Sequence, residues 1–431
     1  MISMPSLLTE PARSLPVTAT YDVIVCGGGP AGVAAALSAA RAGARTALVE
    51  AQGCLGGIWT SGLLSIILDA GNKPGLMPEI RRRLREMDAI REDRDIYQAE
   101  AMKVVLESMC EEAGVDVRLY SRLTAAEVEG RELRHVVLEA KEGRFALAGR
   151  CFVDATGDGD LGALAGCGFD FGRAADGLTQ PMTLMALITH LPPSLLAAPP
   201  PKGRNSCMDK GEFLAKLKGI GVSPSYTKPS LFLLPGGVGA LMINHVYEKS
   251  GLSSLDLTRA SIDARREITR VVRKMRELSP EWSRVTLVAT GAHIGVREGR
   301  RIHGDYRVNV DDVGAGRRFA DGIARVTFPV DVHSVRRADG GGYGEDGAPC
   351  QPYDIPLRAL VARDRDNLFL AGRCISGDFH AHASYRVTGN AVITGEAAGR
   401  AAARAALLGQ DAHTVAAGPL EPWLGDLLPE P

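Results

Sequence analysis

YDVIVCGGGPAGVAAALSAARAGARTALVE, residues Tyr21–Glu50, decides the fold. Tyr21–Cys26 is a short apolar run rich in β-branched residues, the pattern of a strand buried on both faces of a parallel sheet. Gly27, Gly29 and Gly32 follow as G-x-G-x-x-G, and Ala31–Arg41 is an Ala-rich helical segment. A second apolar run, Thr46–Val49, ends in the acidic Glu50. Each glycine has a mechanical task. Gly27 permits the tight turn, Gly29 lets a pyrophosphate approach the backbone, and Gly32 lets helix and strand pack closely. Pro30 and Ala31 open the helix, whose free N–H groups and positive dipole end face the phosphates. Glu50 is placed to accept hydrogen bonds from the ribose hydroxyls of an adenosine. Strand, turn, helix, strand and terminal acid together specify a dinucleotide site.

Three later stretches narrow the dinucleotide: Cys54–Gly62 (CLGGIWTSG), Phe152–Asp160 (FVDATGDGD) and Asn367–Gly399 (NLFLAGRCISGDFHAHASYRVTGNAVITGEAAG). With these the chain resembles flavoproteins of the glutathione-reductase type and, more narrowly, the family of FAD-dependent oxidoreductases. Further matching stretches are Ala101–Val117, Gln180–Leu187, Gly295–Tyr306 and Tyr353–Arg358, so the resemblance runs from about Tyr21 to about Arg404. It implies an α/β fold: a Rossmann-like FAD-binding domain with an inserted α+β substrate domain. It implies FAD as cofactor, with Gly56 and Gly57 in a loop beneath the ribityl chain and Thr156, Gly157 and Asp158 in the second FAD motif. Gly372 and Arg373 stand where related flavoproteins carry Gly-Asp, and Arg373 is expected at a phosphate or capping the flavin site. Gly389, Asn390 and Ala391 open the last Ala-rich helix, Val392–Ala406, whose end is expected at the pyrimidine edge of the flavin. A helix N-terminus there stabilises the charge of a reduced flavin. Leu123 is the choice for a backbone contact to adenine.

The expected organisation is discontinuous. Residues 1–19 read as a disordered leader and not a signal peptide, lacking a basic stretch followed by an apolar one. Residues 20–185 and 350–410 form the FAD-binding domain, 186–349 the substrate domain, and 411–431 a C-terminal tail. Within the substrate domain, 191–204 is a Pro-rich loop and 339–348 a Gly-rich linker or lid. Leu257–Leu278 is an amphipathic helix, with Ile268, Val271, Val272 and Met275 on one face and a row of basic residues opposite, read as a solvated face.

A chain of 431 residues, 45% of them hydrophobic, is ample for two cores. A net charge of -1 gives no electrostatic case for nucleic acid or an anionic membrane. Eight scattered cysteines without a C-x-x-C suit a reducing cytoplasm, and Cys54, alone beside the Gly56-Gly57 loop, argues against thiol–disulfide chemistry. No second glycine fingerprint exists for a nicotinamide, and His380 and His382 lack a third ligand at zinc-like spacing, so no metal is expected.

The open flavin face is expected between the domains. His380, His382, Ser384, Tyr385 and Arg386 immediately precede the flavin-facing helix, and His382 and Arg386 are the leading candidates for chemistry. Arg297, Arg300 and His333 are the others. An arginine can hold a carboxylate bidentately, and a histidine can exchange the proton that accompanies hydride transfer. The function expected is an FAD-dependent oxidoreductase moving a hydride between a small organic metabolite and flavin N5. The alternative is a monooxygenase or reductase that takes NAD(P)H from solution. Two further classes weigh less: a non-catalytic binding protein of the same fold and an FAD-dependent RNA-modifying enzyme. Oligomeric state is not legible.

Overall fold

The computed structural model describes residues 8–197, 205–344 and 348–428. Its centre is a parallel sheet in the order Asp116–Arg118, Thr46–Val49, Val17–Cys26, Gly143–Asp154, with Leu368–Leu370 paired to the end of Gly143–Asp154. Val25 sits opposite Leu48 on one side and Val153 on the other, which buries the Tyr21–Cys26 run on every face. An antiparallel hairpin, Arg122–Glu129 and Glu132–Ala140, continues from Gly143–Asp154 and extends the sheet. This is a mixed α/β architecture around a Rossmann-like parallel sheet.

The helix Pro30–Arg41 connects the first two parallel strands and packs against the last long helix, Thr388–Leu408. The Ala-rich composition of both has a steric cause. A Cβ at Gly395 would lie 2.1 Å from the Ala31 carbonyl oxygen, and one at Gly399 2.1 Å from that of Ala35. The backbones approach too closely for larger residues, and this contact fixes one helix N-terminus beside the other.

A second, antiparallel sheet runs in the order Ser230–Leu233, Gly239–Met242, Ala186–Thr189, Thr286–Thr290. The amphipathic helix covers it through Ala264, Ile268, Val271, Val272 and Met275, which join Phe213, Leu231 and Trp282 in a separate core. Ile302, Val308, Val313, Ile323 and Val326 already belong to the core of the parallel sheet. In packing terms the chain has therefore left the second core soon after Val296.

Several element boundaries differ from expectation, each for a local reason. The amphipathic helix runs Ser254–Met275, because the Ser253 hydroxyl accepts from the Asp256 N–H (3.2 Å) and starts it early. The helix Ala99–Glu112 begins only after Ile96–Tyr97, which pair with Ile90–Arg91 as short strands. The leader ends sooner than residue 19: Val17–Thr20 already extend the first strand, while residues 1–7 lie outside the described residues. Pro193–Ala197 in the expected Pro-rich loop is a helical turn, and 198–204 lie outside. Tyr343–Gly344 in the expected lid pair with Val332–His333, and 345–347 lie outside. The C-terminal segment packs down as Ala412–Ala417 and Glu421–Leu424, burying Leu424 and Leu427, with 429–431 outside. No described helix is long and apolar enough to cross a membrane.

Candidate functional site

The glycine turn divides its three glycines between two tasks. Gly27 has φ +100°, in the left-handed region, and a Cβ there would lie 2.4 Å from the Ala155 carbonyl oxygen. A Cβ at Gly32 would lie 1.7 Å from the Gly27 carbonyl oxygen. These two build the turn. Gly29 differs: its φ is -71°, open to any residue, and a Cβ there meets nothing within 4 Å. The space above Gly29 is a cradle open to a ligand. The helix behind it starts with Pro30 and has no side-chain cap, so the N–H groups of Ala31 and Gly32 are left for a bound group.

Glu50 closes this cradle on the sugar side. Its carboxylate accepts from the Gly28 N–H (2.7 Å) and the Gln52 N–H (2.7 Å), which fix its direction and leave lone pairs for further donors. The Gly56 N–H donates to the Gly28 carbonyl (2.7 Å), and Gly57 packs over Gly29, where its Cβ would lie 3.1 Å from the Gly29 Cα. Leu123 lies in the strand Arg122–Glu129 opposite Leu138, half-buried, two residues beyond Ser121, whose N–H donates to the Glu50 carbonyl (3.0 Å).

The two other FAD motifs converge on the same turn. Ala155 abuts Gly27, and the buried Asp154 carboxylate accepts from the Thr156 N–H (3.0 Å), the Thr156 hydroxyl (2.7 Å) and the Gly162 N–H (2.8 Å). Burial pushes the Asp154 carboxyl up to about 6. Gly372, at φ +74°, would bring a Cβ 2.9 Å from that of Ala31 and 3.7 Å from that of Ala391, so three chain segments meet at one point. Arg373 pairs with Asp158 (3.0 Å) across Gly157 and donates to the Val296 carbonyl (2.7 Å). It ties the second FAD motif to the segment around Val296, which packs on the second core.

The segment His380–Arg386 forms a short helix, Phe379–Tyr385, capped by the Asp378 side chain, which accepts from the Ala381 N–H (2.8 Å). Two positions apart on a helix, His380 and His382 point in different directions. His380 packs edge-on to Phe379, with ring centres 5.4 Å apart. His382 is fully buried, and neither ring nitrogen has a partner in the structure. Burial, then Arg301, Arg386 and Arg373, push its pKa well below the usual histidine range. Tyr385 is buried, and its hydroxyl donates to the Ile375 carbonyl (3.1 Å) while the ring packs on Gly377. Beyond this helix the orphaned buried atoms continue: Arg386 Nε, Thr388 Oγ1, and both amide atoms of the fully buried Asn390. Gly389 is held against the chain, with its N–H on the Leu68 carbonyl (2.9 Å).

Arg386 links this segment to a cluster at the edge of the second core. It donates to the Asp331 carboxylate (3.2 Å) and carbonyl (3.0 Å) and approaches Gln180 Oε1 (3.4 Å). Asp331 also holds His333 Nε2 (3.1 Å), His333 Nδ1 meets His245 Nε2 (3.1 Å), and His245 Nδ1 meets the Tyr247 hydroxyl (3.2 Å). Tyr226 stacks on His245 at 4.1 Å. Burial first, then Arg297, push the His333 pKa down to about 3, and the same two causes hold His245 well below the usual range. Both imidazoles are neutral near pH 7. His245, Tyr226, Tyr247, Asp331 and Gln180 were not singled out by sequence; only His333 among this chain was.

The arginines of Gly295–Arg301 split by role. Arg301 forms a buried pair with Glu298 (2.5 Å) and donates to the Gly377 and Gly172 carbonyls. Arg300 pairs with Asp160 (2.8 Å) and donates to the Asp158 carbonyl. Arg297 donates to the Pro181 carbonyl (2.6 Å) and Thr183 Oγ1 (2.7 Å) and faces the histidine cluster. Among the described residues no group of three or more His, Cys, Asp or Glu side chains is placed to hold a metal ion.

The residues fit FAD. An open cradle above Gly29 adjoins an uncapped helix N-terminus and a carboxylate aimed by two backbone N–H groups. Unpartnered buried polar atoms gather at His382–Asn390, at the start of the last helix.

Comparison with known proteins agrees. The model of the family described as FAD dependent oxidoreductase matches residues 22–422. A dihydrolipoyl dehydrogenase from Trypanosoma brucei brucei is 53% identical over 45 residues, a match spanning 10% of this chain and 9% of that protein. Among solved structures, a flavin-dependent brominase aligns over 92% of this chain and 81% of its own, with a TM-score of 0.53 and 13% identity. A geranylgeranyl bacteriochlorophyll reductase-like protein from Thermoplasma acidophilum aligns over 90% and 79%, with a TM-score of 0.48 and 13% identity. At 13% identity the likeness to the brominase concerns the fold alone. The family match covers nearly the whole chain: it belongs to the FAD-dependent oxidoreductases, it is an enzyme, and FAD is its cofactor.

Proposed function

We propose that the enzyme moves a hydride between a carbon of a small organic metabolite and N5 of FAD, in a glutathione-reductase-type arrangement and in the cytoplasm. The observation that carries this reading is the position of the polar cluster. His382 and Arg386 directly precede the helix whose start gathers unpartnered buried polar atoms, and Arg386 joins them through Asp331 to His333 and His245. When bound, FAD supplies the two-electron acceptor or donor.

The chain's own residues supply position and charge. The Ala31 and Gly32 N–H groups would receive the pyrophosphate, and Glu50 would take the adenosine ribose. Asn390 and Thr388, whose buried polar atoms lack partners, would hold the flavin. His382, neutral and buried, is placed to exchange the substrate proton, and Arg386 beside it is held by Asp331.

The test is anaerobic stopped-flow reduction of FAD-loaded protein, followed by the visible flavin band, against a panel of organic metabolites and both nicotinamides. Reduction by an organic metabolite at a rate exceeding that with NADH or NADPH is the expected result. Rapid reduction by a nicotinamide alone, with every metabolite inert, would instead establish the monooxygenase or reductase alternative.

A further inference from the structure

We propose that Arg297 recognises a carboxylate on the substrate, so that the substrate class is a small organic acid. This rests on the reading of the histidine cluster as the substrate side of the enzyme.

Arg297 has no carboxylate within salt-bridge distance among the described residues, whereas Arg300, Arg301, Arg373 and Arg386 around it each have one. Its Nη1 is anchored by the Pro181 carbonyl and Thr183 Oγ1, both neutral acceptors. Nη2 and Nε keep their donors, and a guanidinium so held presents a flat, two-pronged edge suited to a carboxylate. The groups that act on Arg297 are Arg386, Tyr226, Asp331 and Tyr247. Burial and the like charge of Arg386 push its pKa down to about 10, still charged at neutral pH.

The cluster's single acid is already taken. Asp331 serves both Arg386 and His333, and Glu298 serves Arg301. With both histidines neutral, two arginines face one carboxylate, leaving one positive charge without a counter-charge within salt-bridge distance. A buried cation without a partner is costly, and an incoming anion removes that cost. The surroundings also suit a small organic body behind the carboxylate. Tyr226 packs on His245 with ring centres 4.1 Å apart and planes tilted by 34°, an aromatic wall, and Tyr247 and Asp331 remain partly exposed, which gives a route in. Arg297 is itself only partly buried by its neighbours.

The experiment is calorimetric titration of the FAD-loaded protein with acetate, succinate and benzoate, each against its amide. At least one carboxylate should outbind its amide, and Arg297→Met should weaken that carboxylate by about 10–100-fold while leaving the amide unchanged. Arg297→Lys, which keeps the charge, should keep the preference for carboxylate. The wild-type comparison alone decides if the Met variant folds poorly: carboxylates that never outbind their amides overturn the proposal. So does a preference that survives Arg297→Met in protein retaining FAD. If the protein takes up no FAD yet shows Arg297-dependent carboxylate binding, the hydride-transfer reading fails and this one stands.

Discussion

Gly29→Ala separates the task of the glycine turn from its construction. The backbone there, φ -71° and ψ -175°, is ordinary extended geometry, and the added methyl meets no protein atom within 4 Å. Replacing glycine at such a site reduces the freedom of the unfolded chain and stabilises by about 0.4–1 kcal/mol. The apoprotein should therefore melt at or slightly above the wild-type temperature. FAD binding should suffer, because the methyl fills the space through which a pyrophosphate reaches the Ala31 and Gly32 N–H groups. Hydrogen bonds to a charged group are worth about 1.5–3 kcal/mol each, so losing two costs roughly 3–6 kcal/mol, a fall in affinity of about 10²–10⁴-fold. Fluorescence titration of apoprotein with FAD measures the affinity, and thermal melting of the same samples measures the fold. Gly32→Ala is the contrast: its Cβ would lie 1.7 Å from the Gly27 carbonyl oxygen, so that variant should lose the fold itself. A Gly29→Ala protein that binds FAD within about threefold of wild type, less than the loss of even one such hydrogen bond, would refute the cradle.

Other positions test other links. Glu50→Gln keeps the shape but turns an N–H toward one of the two donors at Gly28 and Gln52, and should weaken FAD by about 10–100-fold; unchanged retention would remove Glu50 from the ribose site. Arg301→Met leaves Glu298 buried without its cation and should destabilise by about 3–5 kcal/mol in urea, whereas a loss below about 1 kcal/mol would mean the carboxylate finds another partner. His382→Ala should retain FAD and slow substrate-driven flavin reduction by about 10²–10⁴-fold in stopped flow, and an unaltered rate would move the proton to another group. His333 tests pH. Its folded pKa of about 3 lies below the unfolded value near 6.5, so its stabilising contribution is full above about pH 6.5 and is lost as pH falls toward 3. At pH 5 the loss is about 2 kcal/mol, and His333→Gln should flatten the fall in stability between pH 7 and 5; an equally steep fall in the variant would contradict a buried neutral imidazole.

The cofactor half of the molecule was largely legible because its determinants are local. A phosphate is met by backbone N–H groups, and exposing them needs glycine at fixed spacing next to a strand and a helix. That grammar survives in the string of letters, so Gly27, Gly29, Gly32 and Glu50 could be given separate tasks before any fold was known. What the string did not disclose was competition between side chains. Arg373 reads as a group at a phosphate or over the flavin site by its place after Gly372, and its pairing with Asp158 crosses a turn that only the folded chain closes. Tyr385 reads as a candidate for chemistry, yet its hydroxyl is spent on the Ile375 carbonyl.

The substrate half was less legible for a physical reason. Its side chains come from the segment after the strand Gly239–Met242 (His245, Tyr247), the segment before the strand Ser230–Leu233 (Tyr226), a loop after the strand Thr286–Thr290 (Arg297) and the short strand Val332–His333 with the residue before it (His333, Asp331). No periodicity links them, because recognition by side chains demands only that they meet in space. His333 was visible as a lone histidine; His245, its partner at 3.1 Å, carried no signal beyond an apolar strand that ends beside it. The basic run Gly295–Arg301 shows the same limit. Its arginines look equivalent as letters, and only the allocation of acids in three dimensions separates them. Glu298 takes Arg301, Asp160 takes Arg300, and no described acid is left within salt-bridge distance of Arg297. The residue that the fold leaves without a counter-ion is the one best placed to seek it in a substrate.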